Sequence, residues 1–167
     1  MKTILVAIQN IALMTSVLEA AARLAQRTGA YIEGFPLRFG IPQYLVADLA
    51  TGIPLDSYHA KSQEELAEMH RLFEAFMLTH DIPPATAGSS RPCFDWLETA
   101  PEGEDFVGSY GRAFDVIVMS RSDVDAAGPN RRAIESALFE SGRPVLLAPL
   151  DAPRSIATNQ EASRQTL

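Results

Sequence analysis

Arg131 and Arg132 open a helix just downstream of an apolar strand and a polar loop, and the chemistry this chain can do turns on that junction. The run from Val116 to Met119 leads through Ser120 into RSDVDAAGPN, and the helix follows. In an open α/β protein such a crossing is where a ligand phosphate rests, on the amides of the helix start. A phosphate cradle uses glycine there, because the amides must approach the phosphate without a Cβ in the way. Here two arginines stand at that point. Two readings follow: their guanidinium groups hold an anion in place of the lost amides, or they are solvated residues that the helix dipole slightly disfavours. Ser120 and Arg121 end the strand at the same switch point, and Gln9 and Asn10 end the first strand at the same crevice. Either amide could read a base or ribose edge, although a polar turn after a strand needs no ligand.

The remaining reactive residues do not assemble into chemistry. His59, His70 and His80 never reach a metal-ligand spacing and read as surface or boundary residues. Cys93, the one cysteine, reads as a small buried hydrophobe and excludes an internal disulfide. Ser120 and Ser141 lack the elbow of an acyl-transfer enzyme. Asp123 and Asp125 alone make a weak cation site, with Asp115 at the far end of its strand. Phe94 and Trp96 lack the basic neighbours of a base-stacking platform. No nucleophile, general base or metal set emerges, so the expectation is a protein that is not an enzyme, with no metal and no required cofactor.

The elements that must position these residues follow from hydrophobic patterning. Ile4 to Ile8 is a continuous apolar run, the mark of a strand buried on both faces of a parallel sheet. Ser16 with Glu19 reads as a capping box opening a helix that Gly29 ends, and Ala30 to Leu37 reads as the second strand. Residues 36–60 are the least legible, with an apolar patch from Tyr44 to Leu49 suited to one helical turn. Ser62 with Glu65 reads as a second capping box, before a stripe of Leu66, Met69, Leu72, Phe73, Phe76 and Met77. Pro92 to Thr99 alternates and Pro92 suits an edge strand. Residues 102–113 form a weaker helix diluted by glycine; a strand from Asp115 to Met119, a helix near Arg131 to Ser141 and a strand from Pro144 to Ala148 complete the pattern. Five strands alternating with four helices predict one doubly wound α/β domain over residues 1–150, and the polar tail 151–167 predicts disorder.

A formal charge of -7, pI near 4.9 and no basic stripe argue against a nucleic-acid surface. Hydrophobic content of 47% and mean hydropathy of +0.00 describe a globular chain with no membrane span, and with the single cysteine the expected location is cytoplasmic.

The assembled pattern resembles the universal stress protein family over about residues 1–150. The resemblance rests on KTILVAI, on AARLAQRTGAYIEG for the first helix and second strand, on RAFDVIVMSR for the fourth strand and on ESALFESGRPVLLAP. It implies a five-stranded parallel sheet of order 3-2-1-4-5, the adenine-nucleotide-hydrolase-like arrangement, and homodimers or tandem domains, often joined through the last strand, which is Pro144 to Ala148 here. Nucleotide-binding members carry an acidic residue after strand one and a Gly-x2-Gly-x9-Gly-Ser/Thr loop after strand four. At those positions this chain has Gln9, Ser120 at the first glycine, and Arg131 and Arg132 at the final pair. The resemblance therefore implies a dimeric, non-catalytic stress-response domain with a degenerate nucleotide site; the alternative is an ATP- or AMP-binding regulator using Gln9, Asn10, Ser120, Arg121, Arg131 and Arg132.

Overall fold

A computed structural model describes residues 1–38, 55–86, 91–121 and 129–149, with only the backbone described for 55–62 and 129. The elements run β1 (Thr3–Ile8), α1 (Ile11–Thr28), β2 (Tyr31–Pro36), α2 (Leu55–Thr79), β3 (Cys93–Trp96), α3 (Phe106–Gly111), β4 (Val116–Ser120), α4 (Pro129–Glu140) and β5 (Val145–Ala148). The strands form a 5-stranded sheet of order β3-β2-β1-β4-β5, parallel at each pairing. This is the order that the family resemblance implies, with β1 central and β3 at the edge that Pro92 suggested. The Tyr44–Leu49 patch, the Asp123/Asp125 pair and the polar tail lie outside the described residues.

Two apolar layers flank the sheet. Ile4, Val6 and Ile8 face Met14, Val17, Leu18 and Ala21 of α1 and Met69, Phe73 and Met77 of α2. Leu5, Ala7, Ile117 and Met119 face Val107 of α3 and Ala133 and Ala137 of α4. Burial on both sides is why β1 reads as an unbroken apolar run rather than an alternating one. Phe73 sits edge-on to Phe94 with ring centroids 5.5 Å apart and meets Trp96 at 5.1 Å, which ties α2 to β3. At the opposite end of the sheet the Asp115 carboxylate accepts from the backbone N–H groups of Lys2 and Thr3, and these bonds hold its pKa below the ordinary value.

Both helices that the sequence starts with a capping box begin earlier. Asn10 is the N-cap of α1, its Oδ1 accepting from the Leu13 amide at 2.9 Å. Ser16 is instead buried within the helix and donates to the Leu13 carbonyl at 3.2 Å, while Glu19 pairs with Arg23 at 2.7 Å. α2 likewise starts at Leu55, so Ser62 lies inside it. Gly29 closes α1 with φ 64°, a left-handed conformation that suits glycine, and its N–H reaches the Ala25 carbonyl at 2.7 Å. The helix expected over residues 102–113 shrinks to Phe106–Gly111, consistent with its glycine content.

Candidate functional site

Parallel strands deliver their carboxyl ends to one side of the sheet, and here β1 and β4 are the central neighbours. Ala7 pairs with Met119 in register, so Ser120 stands level with Ile8, one residue before Gln9. The Arg121 amide donates to the Ala148 carbonyl at 2.9 Å, which fixes the end of β4 against β5 while the Arg121 side chain is exposed. α4 then begins at Pro129, carrying Asn130, Arg131 and Arg132 in its first turn. The topology therefore gathers the sequence-derived candidates at one end of the sheet and at the start of α4.

Their environments differ sharply. Gln9 is 7% exposed and Ser120 is 1% exposed. Among the described residues, neither amide atom of Gln9, nor Ser120 Oγ, nor Asn130 Oδ1 finds a hydrogen-bond partner. Buried polar groups in native proteins are normally paired, because each one left unpaired costs roughly 1–3 kcal/mol. Asn10, in contrast, has committed its Oδ1 to capping α1. Arg131 donates from Nε to Glu135 at 2.9 Å across one helical turn, with both side chains largely exposed, and Arg132 is exposed. Asn130 escaped the sequence reading; its only signal was a polar residue directly after Gly128–Pro129 at a helix start.

Two further clusters lie off this crevice. On the α3 side of the sheet, Glu33 accepts from the Tyr31 hydroxyl at 2.8 Å and from the Tyr110 hydroxyl. Burial first, then the bond to Glu33 and the charges of Glu33 and Asp95, push the Tyr110 phenol up to about 12 and raise Tyr31 further. At the edge of the sheet, His70 stacks on Trp96 with centroids 4.9 Å apart, between Glu98 at 3.2 Å and Glu74 at 3.6 Å. His80 stacks on Phe76 with centroids 4.0 Å apart. Among the described residues no three His, Cys, Asp or Glu side chains gather as a metal site, and Cys93 is buried. No helix of the described residues is long and apolar enough to cross a membrane.

No protein-family model matches the chain, and no curated protein sequence matches it. Solved structures do. A universal stress protein from Archaeoglobus fulgidus aligns over 89% of this chain and 93% of its own, at 17% identity and a TM-score of 0.56. A protein of the universal stress protein family from Burkholderia pseudomallei aligns over 89% and 96%, at 19% identity and a TM-score of 0.56. With its parallel order β3-β2-β1-β4-β5, the chain has the fold of the universal stress proteins.

Proposed function

We propose that this chain is a non-catalytic, universal-stress-type domain that works as a homodimer in stress response through protein contacts, with a nucleotide site that has lost its phosphate grip. The observation that carries this reading is the start of α4. Where nucleotide-binding members of the family have glycines, this chain has Ser120 and the Arg131–Arg132 pair, and Arg131 is held by Glu135 at 2.9 Å. Side chains at those positions keep backbone amides away from a phosphate, and the Glu135 carboxylate one turn into the helix repels one. The residues present do not fit the polyphosphate of ATP. A buried single cysteine suits a reducing, cytoplasmic setting.

A thermal-shift titration with millimolar ATP, ADP and AMP, with and without magnesium, tests the reading. Family-type binding at 100 times Kd would add about 2.7 kcal/mol and raise Tm by several degrees; the expected outcome is no rise. A clear rise that disappears in the Arg131→Ala, Arg132→Ala double variant would establish the ATP- or AMP-binding regulator instead.

A further inference from the structure

The geometry points to His70 as a proton-operated clasp that, when protonated, ties α2 to the edge strand β3 and the turn beyond it. The imidazole lies flat on Trp96, with centroids 4.9 Å apart and 3° between the planes. Its Nδ1 faces Glu98 Oε1 at 3.2 Å and its Nε2 faces Glu74 Oε1 at 3.6 Å. Three parts of the fold meet on this one ring: Glu74 lies one turn further along α2, Trp96 ends β3, and Glu98 follows in the turn. Trp96 is itself anchored, since Phe73 of α2 meets it at 5.1 Å. With 27% of its side chain exposed, His70 exchanges protons with water.

Two carboxylates on opposite sides of one ring select its charged form. A neutral imidazole has a single N–H, so one ring nitrogen would turn its lone pair towards a carboxylate. The imidazolium carries a proton on each nitrogen and a charge that both carboxylates attract. That charge also lies over the indole face, where the ring quadrupole favours a cation. One proton therefore improves three contacts at once. Among the described residues, Glu74 and Glu98 are the charged groups within ion-pair distance of the ring. Asp95 alternates with Trp96 along β3 and so lies on the other face of the sheet, beside Tyr31 and Tyr110. Arg71, next along α2, is taken up by Glu68 at 2.6 Å.

Histidine changes charge between about pH 5 and pH 8. The clasp gives the protonated form partners that it lacks in the unfolded chain. Its contribution is therefore present at the acid end of that range and drains as the pH rises through it. Thermal unfolding of the wild type and of His70→Gln at pH 5.5 and pH 8 reads the effect. The Tm advantage of the wild type should be larger at pH 5.5 than at pH 8 by about 2 °C or more. Trp96 is the single tryptophan of the chain, so its fluorescence reports the contact directly. Its emission should fall between pH 8 and pH 5.5, as the imidazolium is held against the indole and quenches it. His70→Phe, which keeps a ring on Trp96 but takes up no proton, should lose both responses.

Three results would overturn the proposal. A wild-type advantage of equal size at the two pH values would mean that the ring stacks without responding to its proton. Trp96 emission that stays constant from pH 8 to pH 5.5 would mean that the stacked contact does not change with charge. A fluorescence change that survives in His70→Phe would assign the response to a different titrating group. Should both His70 variants fail to fold, Glu98→Gln at a largely exposed position decides the matter together with the wild-type titration. The extra stability at pH 5.5 should shrink in Glu98→Gln, and a gain as large as that of the wild type would sink the clasp.

Discussion

Glu33 joins burial in making two tyrosines of this protein resist ionisation. Its carboxylate accepts from two phenols, Tyr31 and Tyr110, beside the like-charged Asp95 that pairs with it in register. Burial and these neighbours make the folded chain favour protonated tyrosine, with Tyr110 raised from 10.0 to about 12. The unfolded chain releases those protons first, so the stability they contribute is complete below pH 10 and drains as the pH climbs towards 12. Urea midpoints at pH 8 and pH 11 should therefore fall steeply for the wild type. Tyr110→Phe should cost about 1.5–3 kcal/mol at pH 8, through the lost hydrogen bond to a charged acceptor, and should fall less between the two pH values. A decline as steep as the wild type's would show that Tyr110 does not carry the effect. At this scale the sequence announces residue types but not surroundings. Cys93 as a buried hydrophobe is legible from pattern, whereas the burial of Gln9, and the meeting of Tyr31 and Tyr110 on Glu33 across distant elements, arise only from the fold.

Elements are more legible in their interiors than at their ends. The α2 stripe finds Met69, Phe73 and Met77 in the core, because burial enforces the helical period. The starts of α1 and α2 are misread because Ser-x-x-Glu is a capping box only when its serine stands outside the helix, and within a helix the same spacing means nothing. Asn10 was the true signal for α1, yet at a strand end it also looks like a ligand-reading amide. Gly34 shows a constraint that pattern does not reveal. A Cβ there would lie 2.6 Å from Cε2 and 2.7 Å from Cζ of Phe73, whose ring is fully buried against Phe94 and Trp96. The ring has no room to yield, so Gly34→Ala should cost about 1–3 kcal/mol by overpacking. Phe73→Leu in the Gly34→Ala background should recover part of that loss relative to the sum of the single changes, as a double-mutant cycle in urea would show. Strict additivity would mean that α2 and β2 do not press on each other at this point.

At the scale of the whole molecule, the two edges of the sheet are treated differently. The outer side of β3 is met by the chain itself, with the Phe94 amide donating to the Pro83 carbonyl at 2.9 Å and the Ala85 amide donating to the Phe94 carbonyl at 2.6 Å. Among the described residues no backbone bond reaches the outer side of β5, whose Leu146 and Leu147 are 40% and 38% exposed. α4, which leads into β5, adds Leu138 and a Phe139 that is 80% exposed. An open strand edge flanked by large apolar side chains is a template for pairing with another chain. A second copy meeting it about a two-fold axis satisfies both edges with one surface. The sequence already pointed to the stretch from Pro144 to Ala148; it gave less notice of Leu138 and Phe139, whose only trace is an apolar pair interrupting the polar face of α4. Light scattering after size exclusion at tens of micromolar should return a dimer for the wild type. Leu147→Lys, which plants a charge on the edge, should return a monomer with an unchanged circular dichroism spectrum, and Phe139→Ser should weaken the dimer without abolishing it. A wild type that remains monomeric at that concentration, or a Leu147→Lys variant that stays dimeric, would move the contact away from β5 and leave these four apolar side chains in need of a different partner.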